Sequence, residues 1–248
     1  MPRFFITASQ IGERDSGEKT VLIFGEDAAH ITKSLRMKPG EQVTVCDGVG
    51  REYSCMVEKT GETVTLAVTG EKQCETEPPY RATVYQALVK GDKFDTVVQK
   101  SVECGACRIV PFISERCIVR LDKKEAAKKV LRWQKIAEAA AKQCGRGIIP
   151  EVSGLLTFKE AVAEASRADI PLFCYEDESG RTLRPFLEEE GKCETVSLMI
   201  GSEGGFSPSE AQLAVSEGMV SVGLGKRILR TETASSFVLS CLSYRFEL

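Results

Sequence analysis

Two kinds of hydrophobic patterning divide the chain. Over the first 70 residues, short β-branched or aromatic runs recur at 3–6, 20–24, 42–46, 52–57 and 63–68. Turn-forming residues separate them at Lys38-Pro39-Gly40, Asp47-Gly48-Val49-Gly50 and Thr60-Gly61-Glu62, which is the spacing of a small β-barrel. Between the second and third runs, residues 26–36 read as a helix with Ala29, Ile31 or Thr32, and Leu35 turned inward. The polar segment 71–80, carrying Pro78-Pro79, has the composition of a linker. It divides a barrel domain at 1–72 from a second domain at 73–248.

Beyond the linker, apolar runs alternate with helical periodicity. Strands are expected at 82–89, 108–112, 148–152, 171–175, 196–200 and 219–224, with helices between most of them, the pattern of an α/β fold with a covered parallel sheet. The clearest helix runs from about 123 to 143. Asp122 and Glu125 form a capping box, Val130, Trp133, Ala137 and Ala140 form its inner stripe, and Gly145 ends it. Ser207, Pro208 and Glu210 mark another helix start. The last helix carries Ala234, Phe237, Val238, Cys241 and Leu242 at helical spacing, with Ser235, Ser236 and Ser240 small enough to allow close approach of another backbone.

Two loops stand where such a sheet binds ligands, at the carboxyl ends of its strands. One is GSEGGFSPSE from Gly201, and the other is the GKRILRTETA stretch from Gly225. Gly201, Gly204 and Gly205 permit positive φ and bare backbone near a ligand, although a glycine-rich turn is more often only a turn. Neither a phosphate loop nor a dinucleotide fingerprint is present. In the second loop, Ile228 and Leu229 lie between Lys226, Arg227 and Arg230. The apolar pair suits an adenine-sized slot, and Arg230 with Glu232 either reaches a reacting group or forms a structural pair.

Composition narrows the class. The chain is 28% charged and 42% hydrophobic with net charge −3, so it is not a generally basic nucleic-acid protein. Residues 116–146 nevertheless hold ten Lys/Arg against three acids, which reads either as a phosphate-facing patch or as a solvated helix face. No apolar run approaches the roughly 18 residues that span a bilayer, and MPRFFITASQ lacks the apolar core of a secretory leader. A soluble cytoplasmic protein is expected, with the ten cysteines reduced. His30 is the only histidine, and Cys104 and Cys107 form a CxxC without a second pair, so no metal site is expected.

Several stretches together identify the chain as a member of a known family. Arg3-Phe4-Phe5, HITKSLRMKPG from His30, Asp47-Gly48, KGDKFDTVVQKSVECG from Lys90, RWQKIAEAAAKQCGR from Arg132, GSEGGFS and LGKRILRTETA resemble, in order, the ribosomal RNA small-subunit methyltransferase E family. This family belongs to the knotted SPOUT class. The resemblance implies a PUA-like barrel followed by an α/β domain with a deep C-terminal trefoil knot. It implies S-adenosylmethionine as cofactor, N3 of a uridine in small-subunit ribosomal RNA, free or in the assembled subunit, as the methylated atom, and a homodimer. It carries over Leu172, Tyr175, Glu176, Ile200, Gly201, Glu203, Gly204, Gly205, Leu224, Gly225, Ile228 and Leu229 as the cofactor pocket. Arg230 is expected to stabilise charge developing on the uracil, with Glu232 or Glu203 as proton acceptor or orienting group. Arg3, His30, Arg36, Lys90, Lys93, Arg116 and Arg146 are candidates for RNA contact; for His30, a structural hydrogen bond is the alternative. The family commonly has Pro where Ser202 stands, and Lys142 and Cys144 replace the more usual Glu and Ser.

Overall fold

The computed structural model describes residues 1–248. It divides into two compact units, Met1–Glu77 with Ala141–Ile149, and Pro78–Ala140 with Pro150–Leu248.

The first unit is built on six strands: β1 (Arg3–Phe5), β2 (Ile11–Glu13), β3 (Lys19–Ile23), β4 (Gln42–Cys46), β5 (Arg51–Lys59) and β6 (Val64–Gln73), in the order β1-β4-β5-β6-β3-β2. Only β1 and β4 pair in parallel. Alternation along β5 puts Tyr53, Cys55 and Val57 inside and Ser54, Met56 and Glu58 outside, as the two-residue strand period requires. Their inner neighbours are Phe4, Val21, Ile23, Ile31, Val43, Val45 and Leu66.

Three expectations change in this unit. The helix begins as α1 (Gly25–Ala29) but continues as a π-helical turn over His30–Ser34, where the Leu35 N–H bonds the His30 carbonyl five residues back. Widening the turn shifts the helical phase, so Ala28 and Ile31 are buried while Leu35 is 40% exposed. Arg36 then ends the segment at φ +53°. The polar segment 71–80 is not wholly a connector, because β6 continues through Gln73, paired with Arg51 of β5. Short β2, whose Ile11 opposes Val21, is too brief to register as a periodic run.

The second unit is a seven-stranded sheet with every pairing parallel. Its strands are β7 (Arg81–Ala87), β8 (Ala106–Ile113), β9 (Glu151–Val152), β10 (Leu156–Thr157), β11 (Ile170–Cys174), β12 (Thr195–Ile200) and β13 (Val220–Val222), ordered β10-β8-β7-β12-β11-β13, with β9 also beside β8. The mostly apolar runs of β11 and β12 fit strands covered on both faces: all of β11 is buried, and all of β12 after Thr195. The helices are α2 (Lys93–Glu103), α3 (Lys123–Cys144), α4 (Phe158–Ala165), α5 (Leu183–Glu189), α6 (Pro208–Ser216) and α7 (Thr231–Phe246).

Both anticipated capping boxes form. On α3 the Glu125 N–H donates to Asp122 at 2.8 Å and the Asp122 N–H to Glu125 at 3.1 Å, and on α6 Ser207 and Glu210 reciprocate at 3.3 and 3.0 Å. Gly145 follows α3 at φ +82°. The strand expected at 148–152 is only β9, because the Ile148 N–H is taken by Glu77 and the Pro150 carbonyl by Gln134. The last strand is likewise shorter than 219–224. On α7 the buried face is Ala234, Ser235, Val238, Leu239 and Leu242, while Phe237 and Cys241 are half-buried.

Candidate active site

The strand order puts the carboxyl ends of β11, β12 and β13 side by side, and the segments leaving them enclose a cleft of about 430 Å³. That volume lies in the range of small-ligand sites. Its wall after β11 is Tyr175 and Glu176, its wall after β12 is Gly201–Gly205, and its wall after β13 is Leu224, Gly225 and Arg227–Arg230. Cys174 and Ile200 lie at its base. Every expected cofactor residue lines it except Leu172, which is fully buried in the middle of β11. Depth along the strand puts Leu172 in the sheet core, and Cys174, two residues on and on the same face, reaches the cleft instead. Burial pushes the Cys174 thiol up to about 12, so it remains a neutral thiol.

The glycine loop is shaped by its neighbours. The Gly205 N–H donates to the Ser202 carbonyl at 3.0 Å, closing a tight turn. Gly205 holds φ +65°, which favours glycine, and a Cβ there would land on the carboxylate at the end of the exposed Glu176 side chain. At Gly201 a Cβ would stand 3.2 Å from the Gly205 backbone. Arg116 braces the loop from outside, its Nη1 donating to the Gly204 carbonyl at 2.9 Å.

A buried hydroxyl joins two walls. Thr231 Oγ1 donates to the Gly201 carbonyl at 2.6 Å and accepts from Gln86 Nε2 at 2.9 Å, and Gln86 is fully buried at the end of β7. The start of α7, the glycine loop and β7 therefore share one hydrogen-bonded node. Gln86 was not among the expected site residues. Its signal is an amide side chain near the buried end of a strand, followed by Ala87-Leu88-Val89, where burial demands partners.

The charged groups differ sharply in what they touch. Glu203 accepts from the Lys90 N–H at 3.1 Å and from Lys93 Nζ at 2.8 Å. Desolvation works to raise its pKa, but the Lys93 ammonium and the backbone donors outweigh it and hold the carboxyl below its ordinary value. Glu203 is thereby a poor proton acceptor and a good loop anchor. A depressed folded-state pKa contributes stability above the ordinary carboxylate range, lost as pH falls through the folded value. Glu203→Gln should therefore lower stability near neutral pH by on the order of 0.5 kcal/mol, a partly exposed pair being worth little. The gap to wild type should close as pH drops below about 4. Thermal unfolding at a series of pH values measures this, and a gap independent of pH would refute the assignment.

Arg230, by contrast, is the residue before α7 and holds its backbone in the extended cap conformation. Its side chain is 81% exposed, with Glu232 4.0 Å away as its ion-pair partner. Beside it Ile228 is 82% exposed, an apolar side chain presented to a cleft rather than to a core. Burial, followed by a hydrogen bond to Asp177, raises the pKa of Tyr175.

The expected RNA-contact residues separate into three groups. Arg3 and Arg146 are not surface cations. Arg3 donates to Glu52 at 2.8 Å and to Cys46 Sγ, with its side chain 13% exposed. Arg146, at 4% exposure, is paired with Glu77. Burial is tolerable for each only because its charge is matched, and each is engaged in an internal ion pair. Lys93 and Arg116 are engaged in holding the glycine loop. His30, Arg36 and Lys90 remain exposed, His30 standing edge-to-face with Phe4 at 6.1 Å. No group of three or more His, Cys, Asp or Glu side chains is placed to hold a metal ion.

Comparison with known proteins agrees with this architecture. Residues 76–243 match the RNA methyltransferase domain family and residues 24–68 the RNA methyltransferase PUA domain family. The chain is 34% identical to the ribosomal RNA small subunit methyltransferase E of Bacillus subtilis, over 100% of this chain and 98% of that protein. It is 30% identical to its Mycobacterium bovis counterpart, over 92% and 87%. The crystal structure of a ribosomal RNA small subunit methyltransferase E from Neisseria gonorrhoeae bound to S-adenosyl methionine superposes with TM-score 0.84 at 32% identity, covering 98% of this chain and 97% of that one. An α/β unit with a parallel sheet, a PUA-like unit and full-length relatedness place the chain in the ribosomal RNA small subunit methyltransferase E family.

Proposed function

We propose that the chain methylates N3 of a uridine in small-subunit ribosomal RNA, using S-adenosylmethionine held in the cleft behind Gly201–Gly205. The observation that carries this reading is one cleft holding bare glycine backbone, exposed Ile228 and the largely exposed guanidinium of Arg230. The residues present fit the cofactor. Leu224, Ile228 and Leu229 offer apolar contact for an adenine, and glycine N–H and C=O groups can meet its edge and the ribose. Glu176, Lys93 and Arg227 supply both signs of charge for an amino-acid end. When bound, the cofactor supplies an electrophilic methyl group.

The protein's own work is to align the uracil ring and to manage its N3 proton. Arg230 faces the cleft and stabilises negative charge growing on the ring's O2 and O4 as that proton leaves. Glu232, beside Arg230 and less exposed, orients the guanidinium or accepts the proton; Glu203, held ionised by Lys93, anchors the loop. A catalytically inactive RNA-binding module of the same fold would not need these loops built in such detail.

Other parts of the reading rest on specific features. The knot rests on membership of the family; locally, Gly223 after β13 forms a parallel bridge with Thr182, its N–H donating to the Arg181 carbonyl at 2.8 Å and its carbonyl accepting from the Leu183 N–H at 3.0 Å. A homodimer is supported by a groove between α5 and α7 lined by Leu183, Leu187, Phe237, Cys241 and Tyr244, with Tyr244 81% exposed. The PUA-like unit, with His30 and Arg36 on its surface, is assigned to RNA binding, with residues 73–248 as the methyltransferase domain. A cytoplasmic setting agrees with action on ribosomal RNA by a chain of ten cysteines.

The test is to incubate the protein with methyl-labelled S-adenosylmethionine and either naked small-subunit rRNA or assembled subunits, then map the label. N3-methyluridine at one position is expected. No label, or label on a different atom, would overturn the proposal.

A further inference from the structure

Helix α3 carries a charged face that the cleft does not use. Lys124, Lys128, Leu131 and Lys135 recur at intervals of four, three and four residues, and all four are exposed, Leu131 by 68%. At 3.6 residues per turn they fall within a sector of about 60°. The opposite face, Ala126, Trp133, Ala137 and Ala140, is buried. Neighbouring charges are engaged elsewhere. Arg132 pairs with Asp92 and Asp95, Lys129 lies over the Trp133 ring at 5.8 Å, and Glu125 closes the α3 capping box. Half-buried Glu138 borders the row at one end. Lys124, Lys128 and Lys135 themselves have no acidic partner.

We propose that this row docks on the phosphate backbone of an RNA duplex, giving the substrate a second contact surface besides the cleft. This rests on the reading of the protein as an rRNA methyltransferase. The row is about 16 Å long at 1.5 Å rise per residue. A nucleic-acid duplex offers a phosphate roughly every 3.4 Å along each strand. A rigid helix holding cations in line matches a rigid array of this kind, whereas a single strand would first have to be ordered at entropic cost. The composition also separates the two classes of macromolecular partner. Protein interfaces are depleted in lysine and enriched in aromatics, while this face has three lysines and one leucine. The surrounding segment 116–146 is basic by ten residues to three within a chain of net charge −3, so the positive charge is placed rather than general.

The test uses the full-length triple variant K124A/K128A/K135A, in which alanine preserves helix propensity. Binding to a hairpin RNA of unrelated sequence is followed by fluorescence anisotropy over a range of salt concentrations. Loss of three phosphate contacts should weaken binding on the order of 100-fold near 0.1 M salt and flatten the log–log salt slope by about 2 to 3. The effect should be the same on a second hairpin, because phosphate contacts carry no sequence information. Affinity for S-adenosylmethionine should stay within about twofold of wild type, as for distant sites. Unchanged hairpin affinity and slope would overturn the proposal. Unchanged hairpin binding with slower methylation of assembled subunits alone would also overturn it, and would point to an acidic protein surface. Duplex binding is read without catalysis, so its outcome is independent of which atom of the RNA is methylated.

Discussion

Arg230→Ala should bind S-adenosylmethionine nearly as well as wild type yet transfer its methyl group on the order of 100-fold more slowly, the loss expected when one preorganised charge-stabilising donor is removed. Stability should hardly change. The side chain is 81% exposed and its ion-pair contact is Glu232 at 4.0 Å, and such surface pairs contribute at most about 1 kcal/mol. The point from which the side chain springs is nevertheless defined, because the Arg230 backbone caps α7 and Thr231 beside it is locked to Gly201 and Gln86. Arg230→Lys should recover part of the rate, since a point charge remains but the planar fork is lost. Raising the pH should narrow the gap between Arg230→Ala and wild type, because more of the uracil ring then ionises without assistance. The measurement is single-turnover methyl transfer across a pH series, with cofactor affinity determined separately by calorimetry. Equal loss of cofactor affinity and rate would mean that Arg230 shapes the pocket and does no chemistry. Near-normal turnover would remove it from the site.

How far such residues are legible before the structure depends on the range of the forces that place them. The α3 and α6 starts were readable because a capping box is a local event, four residues long, and the same signature, Thr157 followed by Glu160, also opens α4. The two cleft loops were readable as glycine-rich and basic segments following apolar strands. What they touch was not. Glu176 lies against Gly205 across 29 residues of sequence, Gln86 meets Thr231 across 145, and nothing local in Arg3 or Arg146 announces Glu52 or Glu77 as its partner. Those two arginines look like RNA contacts in sequence and are internal ion pairs in the fold. Leu172 lies behind the cleft wall for a related reason: membership of the right strand does not say which of its residues reaches the edge. The phase of the π-turn at His30–Ser34 was equally hidden, because helical periodicity assumes a constant turn. The family resemblance supplied the cofactor and the knot; spacing alone left an unassigned ligand between two loops.

Gly205→Ala is expected to abolish useful cofactor binding while leaving the protein folded. Two independent costs arise at one atom. The backbone at φ +65° is strained for alanine, by about 1 kcal/mol or somewhat more, and the new methyl occupies the position of the Glu176 carboxylate. Relief requires either that the loop leave its turn, breaking the Gly205 N–H to Ser202 carbonyl bond, or that Glu176 swing away. Both movements disturb cleft walls. A combined penalty of about 2 to 3 kcal/mol corresponds to roughly a 100-fold rise in Kd. The double variant G205A/E176A separates the terms. Deleting the carboxylate removes the collision but not the strain, so affinity should recover part of the way towards that of Glu176→Ala alone, and the two substitutions should be strongly non-additive. Calorimetric titration with S-adenosylmethionine on all four proteins gives the coupling directly. Additive effects would show that Glu176 and Gly205 act independently on the cofactor, and the close packing of the β11 and β12 segments would then not be what shapes the pocket.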